Sequence, residues 1–312
     1  MQLISFVIPC YRSEKTIEAV VAEIKEKMNT LPEYEWELVL VNDCSPDGTL
    51  QVIKHIAEED KRVTVIDFAR NFGQHSALMA GLRQTKGDIV ICLDDDGQTP
   101  ADQADRLLDA LKAGADVAYA RYQHKRHSGF RNFGSHVNEL MARFMLGKPK
   151  TLQVSSYFAA KRYIINDMIR YENSYPYVIG LVLRSTNNIV NVDVDHRARE
   201  IGSSGYTLKK LLDLWMNGFT SFSVKPLRIA TVMGVIAAIV GFIYGIVIII
   251  QHFILPDRVQ GFASLAAILV FFGGMMMIML GLLGEYVGRI YISLNNSPQY
   301  VIKEIYNKEN EK

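Results

Sequence analysis

The chain is poor in features that mark several common protein classes. Its 312 residues include only three cysteines, with no CxxC pair and no Cys/His spacing of the kind that binds zinc. We therefore interpret Cys10, Cys44 and Cys92 as reduced thiols facing a cytosol. The sequence also has no Walker A loop and no GxGxxG motif, so kinase, ATPase and dinucleotide-dependent enzyme functions lose their main support.

Two long stretches of the C-terminal third lack charged residues. Residues 229–250 and 262–283 are apolar 22-residue cores without Asp, Glu, Lys or Arg, and about 20 residues suffice to cross the hydrocarbon of a bilayer. They predict two membrane spans, because a buried helix of a soluble protein explains one such stretch better than two in tandem. The connector offers only Arg258, whereas the outer ends carry Lys225, Arg228, Arg289 and Lys303. This asymmetry predicts that both termini are cytoplasmic.

Charge is distributed unevenly along a chain whose formal net charge is only +1. Residues 1–120 carry 12 Lys and Arg against 21 Asp and Glu, a balance of −9. Residues 121–150 carry seven basic residues against the single acid Glu139, a balance of +6. This basic block suggests an anionic partner, such as a phosphate or an acidic membrane surface, although a solvated basic loop explains it equally well.

Short apolar runs typical of strands alternate with helical patterns through the first 120 residues. Strands are predicted at residues 3–8, 37–41, 63–68, 89–93 and 117–120, and helices at 15–29, 50–59, 75–84 and 103–113. The alternation predicts a mainly parallel sheet covered by helices on both faces. Ligands of such sheets bind beyond the carboxyl ends of the strands, which is where we expect the chemistry.

Polar motifs follow three of the predicted strands. The first strand is followed by Pro9-Cys10-Tyr11, the second by Asn42-Asp43-Cys44-Ser45-Pro46-Asp47-Gly48-Thr49, and the fourth by Asp94-Asp95-Asp96-Gly97-Gln98. Consecutive carboxylates repel one another, so the Asp cluster suits a hard divalent cation such as Mg²⁺, which binds through one or two carboxylates and substrate phosphates. An ordinary acidic turn is the alternative, particularly at Ser-Pro-Asp-Gly.

In this order, the motifs resemble those of the family 2 glycosyltransferases of GT-A fold. Further matching segments are Asn71-Phe72-Gly73-Gln74-His75-Ser76-Ala77, Phe130-Arg131-x-x-x-Ser135, Arg197-Ala198-Arg199-Glu200, Lys225-Pro226-Leu227-Arg228 and Gly281-Leu282-Leu283-Gly284-Glu285-Tyr286. The chain is similar to dolichol-phosphate mannose synthases and to bacterial undecaprenyl-phosphate glucose, N-acetylglucosamine and aminoarabinose transferases. The resemblance covers nearly the whole chain. It implies an α/β, Rossmann-like, mainly parallel sheet with helices on both faces, followed by an interfacial amphipathic helix and two transmembrane helices.

The resemblance also implies roles for individual residues. Pro9, Tyr11 and Asp43 are expected to frame the nucleotide base and ribose, with Asp95 beside them. Asp94 and Asp96 are expected to hold Mg²⁺ or Mn²⁺ against the donor diphosphate. The expected catalytic set is Asp94, Asp96, Gln98, which lies near the sugar, and Arg131. The acceptor phosphate is expected on Arg121, Arg131, Arg199, Ser204 and Tyr206, since the planar fork of arginine grips phosphate oxygens bidentately.

Three places depart from the family pattern. Arg12 and Ser13 stand where many relatives have Asn-Glu, which leaves open whether Glu14 supplies the usual acidic contact near the nucleotide. Gly205 stands where a Lys often precedes the Tyr. Leu152 occupies the place of an Asp that is sometimes proposed as a catalytic base, with Ser155 and Ser156 nearby.

The missing Asp does not predict a dead enzyme. A phosphate monoester has a second pKa of about 6 and is largely a dianion at neutral pH, so its attacking oxygen has no proton to lose. Positioning and electrostatic stabilisation then suffice, and direct displacement inverts the anomeric carbon. We expect structural roles for His75 and His196, although either is able to act as a base.

Two other functions compete with sugar transfer to a lipid. The first is a processive polysaccharide synthase, which has the same fold. Such enzymes resemble one another in a Gln-x-x-Arg-Trp motif that this chain lacks, because neither Trp36 nor Trp215 follows an Arg. A non-catalytic membrane adaptor that kept the nucleotide-sugar fold is favoured by the departures at Ser13 and Leu152. The retained Asp94 and Asp96 argue against it.

The predicted organisation has six parts. They are a cytoplasmic GT-A domain at residues 1–206, an interfacial helix at 207–227, spans at 228–254 and 262–290, a connector at 255–261, and a cytoplasmic tail at 291–312, whose residues 303–312 are charged and expected to be solvated. The predicted partners are a nucleotide sugar, expected to be a UDP-sugar, together with undecaprenyl phosphate and membrane lipids. Nucleic acid is not among the predicted partners. The predicted location is the inner membrane. The resemblance implies that the chain forms a homo-oligomer, specifically a tetramer. The GxxxG motifs that begin at Gly241 and Gly284 permit close contact between helices.

Overall fold

A computed structural model describes residues 1–122, 143, 148–195, 225–254, 261–295 and 297–307. The chain forms two units, of which the first comprises Met1–Trp215 and Asn296–Lys312 and the second Met216–Asn295. Residues 207–224 of the predicted interfacial helix, most of the basic block and residues 255–260 of the connector lie outside the described residues.

Strands and helices alternate through the first unit as the sequence predicts. The strands are β1 (Gln2–Cys10), β2 (Tyr34–Asn42), β3 (Val63–Phe68), β4 (Ile89–Cys92), β5 (Val117–Tyr122), β6 (Phe158–Lys161), β7 (Ile189–Val194) and β8 (Ile302–Tyr306). The helices are α1 (Ile17–Asn29), α2 (Thr49–Glu59), α3 (Gln74–Gln84), α4 (Ala104–Lys112), α5 (Arg162–Met168) and α6 (Val178–Ser185).

The described strands form one sheet in the order β7-β5-β6-β4-β1-β2-β3-β8. The pairs β1–β2, β1–β4, β2–β3 and β5–β7 are parallel. Strand β6 runs antiparallel to both β4 and β5, and β8 runs antiparallel to β3. The prediction of a mainly parallel sheet is therefore confirmed, and the carboxyl ends of β1, β2, β3 and β4 meet at one edge.

Helices cover both faces of the sheet. The larger core includes Ile17, Ile53 and Leu107 from α1, α2 and α4, whereas α3 packs on a smaller cluster that includes Val41 and Phe68. Helix α3 approaches the sheet closely at Gly81, where a Cβ atom would lie 2.3 Å from Val7 Cγ1. Only a residue without a side chain allows this contact, so α3 is fixed close to the strand ends.

The C-terminal segment differs from its prediction as a solvated tail. Its strand β8 pairs with the edge strand β3, with Val65 opposite Tyr306 and Asp67 opposite Glu304. The side chains of β8 remain largely exposed, as the charged composition suggests. An edge strand takes its hydrogen bonds from backbone groups, so a polar sequence pairs there as readily as an apolar one.

The second unit contains two long apolar helices, α7 (Lys225–Ile254) and α8 (Phe262–Leu294). Their stretches Lys225–Val247 and Phe271–Leu294 are long and apolar enough to span a membrane. Large apolar side chains on both are exposed, including Phe242 at 71% and Ile278 at 74%. Exposed apolar surface of this extent is typical of helices that face lipid.

Candidate active site

Two loops at the carboxyl ends of β1 and β2 are joined by hydrogen bonds. The Arg12 backbone N–H donates to Ser45 Oγ at 2.7 Å, and the Ser13 backbone N–H donates to Thr49 Oγ1 at 2.9 Å. Arg12 adopts a φ of +60°, which is unusual for a residue with a side chain. The bonds hold this turn in place, and Tyr11 stays 45% exposed at its tip. Of the two predicted nucleotide-facing residues, Tyr11 thus lies on a braced loop, and Pro9 lies in β1 just before it.

Asp95, in the turn that follows the neighbouring strand β4, also holds this loop in place. Its Oδ2 accepts a hydrogen bond from the Tyr11 backbone N–H at 3.0 Å and a short one from the Ser13 hydroxyl. Burial raises the pKa of Asp95, and these two bonds oppose the rise. We expected Asp95 to contact the nucleotide, and the structure directs its carboxylate to the loop that carries Tyr11. Ser13, where relatives have Glu, is thereby a partner of the Asp cluster.

Asp43 lies at the end of β2 and is 3% exposed. Its two oxygens accept the backbone N–H groups of Phe72 at 2.6 Å and Gly73 at 2.8 Å. Burial raises the pKa of Asp43 against the lowering effect of these bonds. Gly73 has a φ of +88°, which favours glycine and turns the chain into α3. Asp43 therefore connects the end of β2 to the start of α3.

Asp94 follows β4 and is held by two neutral side chains. Its Oδ2 accepts a short hydrogen bond from the Ser156 hydroxyl, and its Oδ1 accepts one from Gln74 Nε2 at 2.8 Å. Burial, with the charges of Asp96 and Asp95, raises the pKa of Asp94 to about 6. Ser156 and Gln74 thus orient the Asp94 carboxylate, and no basic side chain among the described residues forms an ion pair with it.

Asp96 and Gln98 complete this turn. The Gln98 backbone N–H donates to Asp96 Oδ1 at 3.1 Å. Burial and the charges of Asp94 and Asp96 raise the pKa of Tyr122, the last residue of β5. The turn therefore brings its carboxylates to the same edge of the sheet as the loop of Tyr11.

The donor set fits a hard divalent cation bound jointly with a ligand. Asp94 carries a negative charge that its described partners, Ser156 and Gln74, leave uncompensated. Within the described residues, no group of three or more His, Cys, Asp and Glu side chains is placed to hold a metal ion. Mg²⁺ typically binds through one or two protein carboxylates and completes its shell with water and substrate phosphates, a number that Asp94 and Asp96 match.

Leu152 and its neighbours place a hydroxyl, rather than a carboxylate, at the cluster. Leu152 is 4% exposed, and its carbonyl accepts a hydrogen bond from Lys148 Nζ. Ser155 donates to the backbone oxygens of Ala120 and Tyr157. Ser156 instead reaches Asp94. Leu152 is therefore a packed apolar residue, and this segment contributes to the site through Ser156.

Glu14 and Arg121 are both engaged within the domain. The Gly48 backbone N–H donates to Glu14 Oε2 at 3.1 Å, at the start of α2. Arg121 on β5 pairs with Asp193 on β7 through Nε and Nη2. The remaining residues expected at the acceptor phosphate lie outside the described residues: Arg131, Arg199, Ser204 and Tyr206.

Sequence reasoning left three polar contacts of the cluster without a role. Ser13, Gln74 and Ser156 all donate hydrogen bonds to Asp94 or Asp95. Gln74 stands in a motif that resembles the family, which was a signal for it. Ser13 was noted only as a departure and Ser156 only as a neighbour of Leu152. Nothing in the local sequence connects Ser156 to Asp94, because the contact is tertiary.

Comparison with known families matches two models to the chain. Glycosyl transferase family 2 matches residues 5–169, and the GtrB C-terminal hairpin matches residues 225–290. The first model includes every described site residue up to Ser156. The second covers both apolar helices.

Two relatives are similar along almost the whole chain. The undecaprenyl-phosphate 4-deoxy-4-formamido-L-arabinose transferase of Proteus mirabilis is 33% identical over 97% of this chain and 93% of its own length. The bactoprenol glucosyl transferase of Shigella phage SfII is 32% identical over 96% of this chain and 97% of its own length.

Solved structures share the fold of the first unit. The glucosyl-3-phosphoglycerate synthase of Mycobacterium tuberculosis with Mn²⁺ and UDP-glucose has a TM-score of 0.51 and is 21% identical, covering 75% of this chain and 78% of its own. The same enzyme with UDP has a TM-score of 0.52 at 20% identity, over 69% of this chain and 78% of its own. At these identities the likeness shows the fold alone.

Proposed function

Because the chain belongs to glycosyl transferase family 2, we propose that it transfers a single sugar from a UDP-sugar to undecaprenyl phosphate. The observation that carries the proposal is the cluster of Asp94, Asp95 and Asp96 at the carboxyl end of β4, in a chain that continues into two apolar helices. Relatives named for undecaprenyl phosphate and bactoprenol match over nearly their whole length, which supports a polyprenyl phosphate acceptor.

The donor site in this proposal lies across the ends of β1, β2 and β4. Tyr11 and Asp43 frame the nucleotide, and Gln98 lies near the sugar. Asp94 and Asp96 would hold Mg²⁺ or Mn²⁺, which when bound would neutralise charge on the departing diphosphate. Ser156 and Gln74 orient the Asp94 carboxylate. Neighbouring solved structures of this fold contain Mn²⁺ with UDP-glucose, which supports the choice of donor and metal.

The reaction needs no side chain that removes a proton. An oxygen of the acceptor phosphate dianion forms a bond to the anomeric carbon while the bond from that carbon to the nucleoside diphosphate breaks. The products are the lipid-linked sugar phosphate and the nucleoside diphosphate, with the anomeric configuration inverted. Leu152 therefore fits an active enzyme. Arg121 and Arg131, with Arg199, Ser204 and Tyr206, are proposed to position the acceptor phosphate.

Membrane attachment follows from the acceptor. A long polyprenyl chain stays in the bilayer with its phosphate at headgroup level, so the catalytic unit must come to the lipid. In the proposal α7 and α8 span the inner membrane, and both termini are cytoplasmic, as the basic residues Lys225, Arg228 and Lys303 favour. Homo-oligomer formation stays a prediction.

The proposal is tested with the full-length chain purified in detergent. The protein is incubated with undecaprenyl phosphate, Mg²⁺ or Mn²⁺ and a panel of radiolabelled nucleotide sugars, and label is followed into the organic phase. Asp96→Asn is the inactive variant. Asp109→Asn on α4 is the matched control, since its side chain is 74% exposed and lies on a helix that carries no site residue.

We expect transfer from one donor, loss of at least about a hundredfold in Asp96→Asn, and wild-type transfer in Asp109→Asn. Mass analysis of the product distinguishes one sugar from a polymer. Failure to transfer any sugar of the panel, with measurable nucleotide binding, would overturn the proposal in favour of a membrane adaptor.

A further inference from the structure

The segment after α8, residues 297–307, returns to the catalytic sheet and is here termed the C-terminal strap. Its strand β8 runs antiparallel to β3, so the first strap residues lie beside the carboxyl end of β3. The Ala69 backbone N–H continues this pairing by donating to Val301 O at 2.9 Å. The strap therefore reaches the edge of the sheet where the candidate active site lies.

Gln299 fixes the strap to the loop that precedes α6. The side chain is 6% exposed, and its Nε2 donates to Tyr171 O at 2.7 Å and Asn173 O at 2.8 Å. Ser174 Oγ donates to Ser297 O at 2.5 Å. An amide nitrogen has two protons and both are used here, which a carboxylate could not supply.

Tyr300 fixes the strap to the end of β3 and the start of α3. Its ring stacks on Phe68 with centroids 5.2 Å apart, and Phe68 meets Phe72 edge to face at 5.7 Å. Tyr300 and Phe72 pack on the same small apolar cluster. Arg83 Nη1 donates to the Tyr300 hydroxyl at 3.0 Å, and Arg83 Nη2 donates to Tyr171 O at 3.0 Å.

From Phe72 the contacts lead directly into the donor site. The backbone N–H groups of Phe72 and Gly73 hold Asp43, and the next residue, Gln74, holds Asp94. Tyr300 is thus separated from Asp43 only by the two rings of Phe68 and Phe72. Because Tyr300 and Phe72 both pack on Phe68, we expect loss of the Tyr300 ring to loosen the packing that positions Phe72 and the residues that bind the two carboxylates.

We propose that Tyr300 and Gln299 are positioning residues for the donor site, which they stabilise through the segment of residues 71–74. The strap begins three residues after α8 ends at Leu294. This inference rests on the proposed function in one respect, since it takes the site of Asp43 and Asp94 to bind a nucleotide sugar.

The test uses the full-length chain in detergent with the variants Tyr300→Leu, Tyr300→Phe and Gln299→Glu. The matched control is Glu304→Gln, which removes an exposed ion pair between the strap and Lys54 of α2. Hydrogen exchange at the amides of Phe72 and Gly73 reports on the segment directly. Affinity for UDP with Mn²⁺ is measured by calorimetry, and KM and kcat are measured for both substrates.

We expect Tyr300→Leu to speed exchange at Phe72 and Gly73 and to weaken UDP binding by roughly threefold to tenfold. The KM for the donor rises by the same factor, whereas kcat and the KM for the acceptor stay at wild-type values. Tyr300→Phe keeps the stacked ring and rescues binding, and Glu304→Gln behaves as wild type. Gln299→Glu is expected to weaken UDP binding and to raise the KM for the donor in the same way. It tests the role of the strap if Tyr300→Leu does not fold.

The inference is overturned if exchange at Phe72 and Gly73 is unchanged in both strap variants, or if Glu304→Gln alters it equally. It is also overturned if donor and acceptor parameters worsen together with a uniform rise in exchange, which indicates general destabilisation. A wild-type chain that neither binds UDP nor transfers sugar refutes the proposed function instead. In that case local exchange at the two amides still decides the role of the strap.

Discussion

Arg121 and Asp193 face each other on the parallel strands β5 and β7 and form a two-pronged ion pair. Arg121 Nε lies 2.5 Å from Asp193 Oδ1, and Arg121 Nη2 lies 2.9 Å from Asp193 Oδ2. Both side chains are about two-fifths exposed, at 40% and 38%. We expect Arg121 to bind the acceptor phosphate, but its Nε and Nη2 groups already donate to the Asp193 carboxylate. A phosphate must compete with Asp193.

This competition predicts opposite effects at the two positions. Arg121→Gln removes a cation and raises the KM for the acceptor by about fivefold. Asp193→Asn removes a competing negative charge and lowers the same KM by about twofold to threefold. Initial rates at varied undecaprenyl phosphate measure both. Equal, small changes in the same direction would show that the pair only joins two strands, as many exposed ion pairs do.

Ser156 provides a second prediction, with its neighbour as the control. The Ser156 hydroxyl donates to Asp94, and groups that orient a metal ligand are typically worth about tenfold to a hundredfold in metal affinity or activity. Ser156→Ala should therefore raise the Mn²⁺ concentration for half-maximal transfer by about tenfold. Ser155→Ala, which removes a hydroxyl bonded only to backbone oxygens among the described contacts, should not.

Metal titration of the transfer rate measures this effect, and Ser156→Thr should restore the wild-type midpoint because it keeps the hydroxyl. If Ser155→Ala and Ser156→Ala shift the midpoint equally, the effect comes from packing of the loop and the orienting role of Ser156 is wrong.

Asp95 is predicted to act on the nucleotide through the loop of Tyr11. Its carboxylate accepts the Tyr11 N–H and the Ser13 hydroxyl, so Asp95→Asn should raise the donor KM by about tenfold and Ser13→Ala by about threefold. Neither variant should shift the metal midpoint. Metal titration of the transfer rate of Asp95→Asn distinguishes the two roles of Asp95. If Asp95 were a metal ligand, the metal concentration for half-maximal transfer would rise, and the role in holding the loop would be wrong.

Much of the fold follows from local pattern. The strand expected at residues 63–68 is β3 itself, and α3 begins one residue before its predicted start. Strand β6 has four residues and pairs antiparallel between β4 and β5, so its identity depends on partners far along the chain. Strand β8 was missed because Lys303 and Glu304 interrupt its apolar residues, whereas its pairing uses the backbone.

The sequence predicts the carboxylates of the candidate site, but not most of the residues that donate hydrogen bonds to them. Asp43 and Asp94 follow strands that the apolar runs identify, and parallel strands bring their carboxyl ends to one edge. The partners come from elsewhere, as Ser156 lies 62 positions after Asp94 and Phe72 lies 29 after Asp43. Such contacts depend on the register of β6 and the approach of α3, which no local pattern specifies.

His75 follows Gln74 on α3 and supplies the last prediction. Its ring meets Tyr177 edge to face at 5.2 Å, and its buried Nδ1 has no hydrogen-bond partner among the described residues. Burial lowers the pKa of His75 to about 4, whereas an unfolded histidine titrates near about 6.5. Between these values the unfolded chain binds a proton that the folded chain does not. The contribution of His75 to stability therefore rises with pH across this window.

His75→Phe keeps a ring against Tyr177 and cannot titrate. Its melting temperature relative to wild type should increase as the pH falls from about 7 to about 4.5, because only the wild type is penalised by protonation of its unfolded state. Since His75 stays neutral above about pH 5.5, transfer by wild type and variant should follow the same pH profile from about pH 6 to about pH 8. A limb near about pH 6.5 that disappears in His75→Phe would instead make the imidazole a catalytic base, and would end the conclusion that the phosphate dianion attacks unaided.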